Sequence, residues 1–318
     1  MKKRSIEVEV EVDESNKKRR KDCSTSSVSP PGGVELIEAE YLKVLRPQRF
    51  DSVPLVEACQ AGKASHFLLY PFPNSYHSYP HSSSSSSSSA GQDGVYPVPQ
   101  RNTMLRIAKE MSQMNSSLPV EVGSAIFVRC DEGRCDVLKA LIVGPEGTPY
   151  AHGCFEFDIL LPGDYPARPP KVLLATTGGG TVRFNPNLYN CGKVCLSLLG
   201  TWSGPGWDPQ SSSLLQVLVS IQSLIMVPDP YFNEPGYEAQ MGTPAGQTAS
   251  SKYNESIRQH CFTFAILQQM RQPSYIFREV IRDIFRIKGP LIAQELSSYI
   301  SAARIKDFHA ALAALSMK

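Results

Sequence analysis

The sequence has 318 residues, with 32 Lys and Arg against 30 Asp and Glu, which gives a formal charge of +2 at pH 7. Because the charges are nearly balanced, the net charge gives no reason to expect nucleic acid as a partner. The N-terminus has no apolar signal segment, no apolar run is long enough to cross a membrane, and eight cysteines are too sparse for a disulfide scaffold. The composition therefore predicts a chain with free thiols that is neither secreted nor membrane-spanning.

The first segment, residues 1–98, is predicted to be a mostly disordered tail. It contains an unbroken serine run from Ser82 to Ser89 and few positions that would form a continuous buried face. Such a composition buries too little apolar surface to offset the entropy of ordering the backbone. Tyrosine-containing pieces such as EAEYLKVLRPQRF stay open as docking motifs that fold on binding.

Two basic clusters lie in this tail, at Lys2–Arg4 and at Lys17–Lys21, with twelve residues between them. That spacing suits a two-part nuclear import signal, and a solvated run of charge is the alternative. We therefore expect a nuclear or cytoplasmic location.

A folded domain is predicted to begin with a helix at Arg101. Four apolar runs separated by turn residues follow it, SAIFVRC, DVLKALIVG, CFEFDILL and KVLLATT, and they predict a meander of four antiparallel strands. Helical spacing places five apolar residues on one face of the first helix: Met104, Ile107, Ala108, Met111 and Met114.

A loop with two cysteines leads from the last strand to the segment SSSLLQVLVSIQSLIMVPDP, which predicts a nearly all-apolar helix buried against the sheet. Ser212 or Ser213 caps this helix, and Pro228 ends it. Helical spacing continues to the C-terminus, with breaks at Pro273 and Pro290. This order of elements predicts an α+β domain over residues 99–262, followed by a helical extension over 263–318.

The loop cysteines, Cys191 and Cys195, are four positions apart and are the first candidates for chemistry. A zinc site would need two further ligands, for which Cys130 and Cys135 are available, but no recognised finger spacing results. The spacing is also not the C-x-x-C of a redox pair. We therefore predict no metal, and two buried thiols remain the ordinary alternative to a nucleophile.

The runs YPARPPKV at 165–172 and NPNLYNCGKVCLSLLGTW at 185–202, with the apolar helix after them, resemble the core of ubiquitin-conjugating enzymes. That family has a Y-P-x-x-P-P motif, an H-P-N motif, a nucleophilic Cys eight residues after its Asn, and a long crossover helix. Cys195 lies eight residues after Asn187. The segments GTWSGPGWDP and VPDPYFNEPGYE are similar to the large atypical subgroup, which includes the plant phosphate-regulating and the giant BIR-containing conjugating enzymes.

The resemblance implies that Cys195 accepts ubiquitin as a thioester from the activating enzyme and transfers it to a lysine of a protein substrate. Cys191 would then have no role. No cofactor is expected to bind, because the activating enzyme consumes the ATP. Asn187 would donate to the oxyanion or support the loop, and Glu234 would lie beside the incoming lysine.

Several positions depart from the family pattern. Asn185 stands where most members have His, and Ser197 stands where many have Asp. Ala167 replaces an aromatic residue that usually contacts ligases, and SGPG after Trp202 alters a second ligase contact. We therefore expect an atypical ligase surface, with substrate selection partly through the chain's own extensions.

The remaining family motifs have mainly structural interpretations. Tyr165 and its neighbouring prolines are predicted to form the turn before the fourth strand, and Trp207 is predicted to pack. Arg101, Arg106 and Lys109 lie where the family meets the activating enzyme, with a solvated basic face as the alternative. Two alternatives for the whole chain stay open: a binding module of the same fold with weak or no turnover, and an enzyme for another ubiquitin-like modifier.

Overall fold

The structure is a computed structural model that describes residues 32–66 and 100–316. Both basic clusters, the serine run and the rest of the predicted tail apart from 32–66 lie outside these residues. The helices are α1 (Gly32–Leu45), α2 (Leu55–Gln60), α3 (Arg101–Ser117), α4 (Leu214–Ser220), α5 (Pro244–His260), α6 (Gln268–Arg271), α7 (Arg278–Leu296) and α8 (Ala302–Ser316). The strands are β1 (Phe50–Val53), β2 (Val120–Glu121), β3 (Ser124–Asp131), β4 (Val137–Val143), β5 (Cys154–Leu160) and β6 (Lys171–Leu174).

The sheet has the strand order β1-β3-β4-β5-β6, and β2 pairs with β3. Strands β3 to β6 form the predicted antiparallel meander, in which Ile142 is paired with both Ile126 and Phe155. Strand β1 is added in parallel to β3, with Phe50 opposite Val128. The α+β fold class is therefore confirmed, and the sheet has two strands beyond the four predicted.

Both faces of the central strands are covered, because every residue of β4 and β5 is buried. Continuous burial of this kind means that layers pack on either side of a sheet. Part of the cover comes from α2, whose Leu55 and Cys59 pack with Val137 and Leu160 of the sheet. The burial even includes charged side chains, since Lys139 of β4 forms an ion pair with Asp158 of β5.

The structure corrects the prediction of a disordered tail for residues 32–66, which fold onto the rest of the chain. Tyr41 and Leu45 of α1 are fully buried in the main core, and α1 packs on α7. Gln48 also donates a hydrogen bond to Asp283 of α7 at 2.9 Å. Local composition could not reveal this packing, because the partner surfaces, the sheet and α7, lie about 70 to 235 residues away in sequence.

The C-terminal helices also differ from the prediction in two places. Helix α5 continues without interruption through a π-helical stretch, Cys261–Leu267, into α6, so the predicted domain boundary at 262/263 falls inside a continuous helix. Pro290 lies inside α7 rather than at a break. A proline removes one helical hydrogen bond, and the burial of Ile287 and Ile292 on either side of it keeps the helix continuous. Pro273 does lie between α6 and α7, as predicted.

Candidate active site

Residues 187–195 form a hairpin beside the edge strand β6. The Cys195 N–H donates to the Asn187 carbonyl at 2.9 Å, and the Tyr189 N–H donates to the Lys193 carbonyl at 3.0 Å. The turn at the tip requires glycine at 192, where φ is +84° and a Cβ would lie 2.7 Å from the Leu174 carbonyl oxygen. The tight turn therefore holds the hairpin closely against β6.

Side chains alternate between the two faces of such a hairpin. Leu188 and Val194, which form a bridge, are buried in the core. The neighbouring positions therefore project to the opposite face, where four side chains that carry chemistry come together: Asn187, Tyr189, Lys193 and Cys195.

The Cys195 side chain is only 3% exposed. Burial raises the pKa of its thiol, while the nearby charges of Lys193 and Arg183 and a hydrogen bond with Tyr189 lower it, with burial as the larger effect. The resting thiol is therefore protonated at neutral pH.

Cys191 occupies a different part of the hairpin, at the half-buried tip of the turn. Cys195 lies in the arm beyond the turn, and each residue of an extended arm adds about 3.3 Å. A disulfide needs Cα atoms within about 7 Å of each other, so joining these two thiols would require the hairpin to open. The hairpin therefore argues against a redox pair.

The other cysteines considered for a metal site have ordinary surroundings. The Cys130 thiol donates to the Cys135 carbonyl at 3.5 Å, and burial raises its pKa to about 12. Across residues 32–66 and 100–316, no group of three or more His, Cys, Asp or Glu side chains is placed to hold a metal ion.

Asn185, which departs from the family's usual His, ties the hairpin to the core. Its side-chain amide donates to the Ile225 carbonyl at 2.8 Å and to the Tyr150 hydroxyl at 2.9 Å. Its side-chain oxygen accepts from the Asn187 N–H at 2.8 Å. Asn185 is fully buried, so this departure has a structural explanation in which an amide connects the loop that carries Cys195 to the segment after α4.

The Asn187 side chain is bonded to the hairpin itself. Its amide donates to the Cys195 carbonyl at 2.8 Å, across the same rung in which the Cys195 N–H donates to Asn187. In this contact Asn187 supports the loop, which is one of the two roles that the sequence left open for it.

Glu234 follows a short helical turn, Pro230–Asn233, and reaches the hairpin through Arg183. The Arg183 guanidinium donates to Glu234 Oε2 at 3.2 Å and to the Pro186 carbonyl at 2.7 Å. It also lies 4.3 Å from the centre of the Tyr189 ring. Glu234 therefore lies at the hairpin as the ion-pair partner of Arg183.

Sequence reasoning missed Arg183, Tyr189 and Lys193. The available signal was alternation: once 187–195 is interpreted as a hairpin, Tyr189 and Lys193 must share a face with Cys195. No sequence signal marked Arg183, because its approach to Tyr189 depends on the path of the loop.

A buried carboxylate, Glu110 of α3, connects the elements around the site. It accepts from the Tyr165 hydroxyl at 2.7 Å, from the Leu214 N–H at the start of α4 at 2.9 Å, and from Arg106 at 2.5 Å. The buried face of α3 includes Glu110. Of the five apolar residues predicted to share one face, Ile107, Met111 and Met114 are buried, whereas Met104 is 44% exposed and Ala108 is also exposed.

The predicted scaffold roles fit these contacts. Tyr165 packs against Trp207 with ring centres 5.6 Å apart, and the Trp207 indole donates to the Pro166 carbonyl at 2.6 Å. Ser213 caps α4 by accepting from the Gln216 N–H, as one of the two predicted caps. Arg106 is held by Glu110 and by the Ser212 carbonyl at 2.6 Å.

Comparison with known proteins identifies the same region. Residues 106–261 match the family model of ubiquitin-conjugating enzymes. Over 275 residues, or 86% of the chain, the sequence is 45% identical to the human dual E2 ubiquitin-conjugating enzyme/E3 ubiquitin-protein ligase BIRC6. It is 50% identical over 203 residues, 63% of the chain, to the probable ubiquitin-conjugating enzyme protein 17 of Caenorhabditis elegans. It is 42% identical over 209 residues, 64% of the chain, to the putative ubiquitin-conjugating enzyme E2 38 of Arabidopsis thaliana.

These matches cover only part of each relative. They span 5% of the human protein, 28% of the worm protein and 61% of the plant protein. Within the part of the chain that the structure describes, no helix is long and apolar enough to cross a membrane.

Proposed function

Residues 106–261 form a domain of the ubiquitin-conjugating enzyme family, and on that premise we propose that the chain carries ubiquitin as a thioester on Cys195 and transfers it to a lysine of a protein substrate. The observation that carries this proposal is the position of Cys195. It lies eight residues after Asn187 in a hairpin that holds both residues on the face away from the core. It is also the thiol on the hairpin arm, whereas Cys191 is at the tip.

The first step is a thioester exchange. The Cys195 sulfur loses its proton and attacks the carbonyl carbon of ubiquitin's C-terminus, and the bond from that carbon to the activating enzyme's sulfur breaks. One thioester replaces another, so the step needs no further energy source. ATP is consumed earlier by the activating enzyme, and this chain needs no bound cofactor.

In the second step the amine of an acceptor lysine attacks the thioester. A C–N bond forms, the C–S bond breaks, the amine loses a proton and the Cys195 sulfur is released. The amine must be neutral to attack, so positioning and local electrostatics control the rate. In this scheme Asn187 holds the arm that carries Cys195, and Glu234 is a positioning residue that fixes Arg183 beside the lysine's approach.

The partners of this function are ubiquitin, its activating enzyme and proteins that present a lysine. The human relative is named as both a conjugating enzyme and a ligase. Together with Ala167 and the altered loop after Trp202, that likeness supports substrate selection by the chain itself, with a ligase of the ordinary kind playing a smaller part. The paired basic clusters support a nuclear or cytoplasmic location.

The proposed function is tested by incubating the chain with activating enzyme, ubiquitin and ATP, followed by a nonreducing gel. We expect an adduct that a thiol reagent removes, that is lost in Cys195→Ala and that is retained in Cys191→Ala. An adduct that persists in Cys195→Ala would reject Cys195 as the nucleophile. No adduct with ubiquitin would favour the binding module, unless the same assay with another ubiquitin-like modifier and its own activating enzyme gives one.

A further inference from the structure

The turn between β4 and β5, residues 144–153, contacts both the loop that carries Cys195 and α7. This β4–β5 turn is closed at its base, where the Gly144 N–H donates to the Gly153 carbonyl at 2.8 Å and the His152 N–H donates to the Gly144 carbonyl at 3.3 Å. It is also tight, because a Cβ at Gly144 would lie 1.9 Å from the Tyr150 carbonyl oxygen. A closed and closely packed turn moves as one unit, so a contact at one of its residues affects the others.

On one side of this turn, Tyr150 supports the hairpin. Tyr150 is fully buried, and its hydroxyl donates to the Phe184 carbonyl at 2.8 Å and accepts from the Asn185 amide at 2.9 Å. The Asn185 side-chain oxygen accepts from the Asn187 N–H at 2.8 Å, and the Asn187 side chain donates to the Cys195 carbonyl at 2.8 Å. Successive hydrogen bonds therefore connect Tyr150 to the residue proposed as the nucleophile.

On the other side of the turn, His152 is held by two residues of α7. Its Nε2 lies 2.7 Å from Glu295 Oε2, and its Nδ1 lies 3.5 Å from Lys288 Nζ. An ammonium can only donate, so Nδ1 accepts from Lys288, and the ring hydrogen is on Nε2, which donates to Glu295. Lys288 also donates to Glu146 of the same turn at 3.2 Å. Helix α7 therefore contacts the β4–β5 turn at two of its residues, Glu146 and His152.

The backbone of His152 shows that these contacts hold a strained conformation. Its φ is +64°, in the left-handed region that residues other than glycine rarely adopt. Such a conformation persists where the surroundings enforce it, and it is common at functional sites. The side chains that enforce it here belong to α7, which lies beyond the residues 106–261 that match the family model. A helix outside the matched region therefore fixes a turn that supports the hairpin.

We propose that α7 sets the rate at which ubiquitin is transferred from Cys195, because it holds the β4–β5 turn where Tyr150 supports the hairpin. His152 is then a positioning residue, since it acts through Tyr150 and Asn185 and does not contact the reacting atoms. The inference rests on the proposed function and adds regulation to the same site: a partner or substrate that displaces α7 slows the transfer.

The test measures discharge from the preformed thioester. The full chain is loaded with ubiquitin, ATP is removed, free lysine is added, and the single-turnover rate constant is measured on nonreducing gels. Only loaded molecules contribute to this rate constant, so a smaller folded fraction does not lower it. Glu295→Ala removes the acceptor of the His152 ring hydrogen and should slow discharge about three- to tenfold. Because the Glu295 side chain is 47% exposed, its replacement is compatible with folding.

Further variants separate this hydrogen bond from other effects. Glu295→Gln keeps an oxygen that accepts from His152 and should keep most of the wild-type rate. His152→Gly loses the side-chain contacts with α7 but tolerates a positive φ, and it should slow discharge as Glu295→Ala does. Gln294→Ala, at the exposed neighbouring position of α7, is the matched control and should leave the rate unchanged.

A double-mutant cycle tests the connection through Tyr150. Tyr150→Phe removes the hydroxyl that binds Asn185, so the contact between α7 and the turn no longer reaches the hairpin by this route. Glu295→Ala should therefore slow the Tyr150→Phe chain less than it slows the wild-type chain. A general loss of stability would leave the two effects independent.

The outcomes separate the inference from the function on which it rests. Normal loading with wild-type discharge in Glu295→Ala and His152→Gly would overturn the control by α7 alone. Equal slowing by Glu295→Gln and Glu295→Ala, or independent effects of Glu295→Ala and Tyr150→Phe, would also overturn it. Failure of the wild-type chain to load at all would overturn both the proposed function and the inference.

Discussion

At the scale of single residues, the reactivity of Cys195 is decided by competition between burial and charge. Burial of the sulfur disfavours the thiolate, and the nearby Lys193 and Arg183 favour it. Because burial is the larger effect, the pKa lies above the ordinary value for a cysteine. The fraction of thiolate then remains small at neutral pH and rises with every increase in pH up to that pKa.

This balance predicts the pH dependence of alkylation by iodoacetamide. The rate at Cys195, measured by mass spectrometry of the modified peptide, should rise about tenfold per pH unit from pH 6 and still be rising at pH 8.5. Lys193→Met should slow alkylation at pH 7.5, because loss of the cation raises the pKa further. Lys43→Met, with the same loss of charge in α1, should leave the rate unchanged. A rate that levels off below pH 7 would contradict the dominance of burial.

At the scale of elements, Glu110 connects α3, the turn at Tyr165 and the start of α4. Its carboxylate takes a hydrogen bond from each of them, and its negative charge lies at the N-terminus of α4, where the helix dipole favours an anion. The hairpin that carries Cys195 lies between the Tyr165 turn and α4 in sequence. One buried side chain of the first domain helix therefore sets the positions of the elements that flank the site.

Replacing Glu110 tests this connection. Glu110→Ala leaves Arg106, the Tyr165 hydroxyl and the Leu214 N–H without their shared acceptor, and should lower the free energy of unfolding by about 3–5 kcal/mol. The measurement is urea denaturation followed by circular dichroism. Lys109→Ala, at an exposed position of the same helix, should change the free energy by less than about 0.5 kcal/mol. Equal effects of the two substitutions would show that Glu110 does not connect these elements.

At the scale of the whole molecule, residues 32–66 and the C-terminal helices complete one fold with the conjugating domain. Helix α1 packs on α7, β1 extends the sheet, and the carbonyl of Ser65 accepts a hydrogen bond from the buried Lys139 ammonium at 2.9 Å. These contacts cover sheet surface that would otherwise face water. The flanking segments are therefore structural parts of the domain.

Truncation measures their contribution. A chain that begins at residue 100 loses the cover over Val137 and Leu160 and one partner of the buried Lys139. Its melting temperature should fall by at least about 10 °C, and it should bind the dye ANS. A chain that begins at residue 32 keeps every described contact, so its melting temperature should equal that of the full-length protein. Equal melting temperatures for all three chains would contradict a structural role for residues 32–66.

The sequence by itself determined the parts of this protein that depend on local patterns. The period of apolar residues marked α3, the four strands of the meander and α4, and the eight-residue interval from Asn187 selected Cys195 over Cys191. The predictions of α3, the four strands and α4 succeeded because periodicity is a property of neighbouring residues, and the selection of Cys195 stays a prediction.

Only the tertiary structure decided the features that depend on contacts between distant residues. It showed that residues 32–66 fold and that the buried face of α3 includes Glu110. It also showed that Arg183 and Lys193 lie with Tyr189 beside Cys195. Composition suggests disorder for a segment such as 32–66, because its own apolar residues cannot form a core. They become buried only when α7 and the sheet supply the opposing surface, and no local pattern records that partnership.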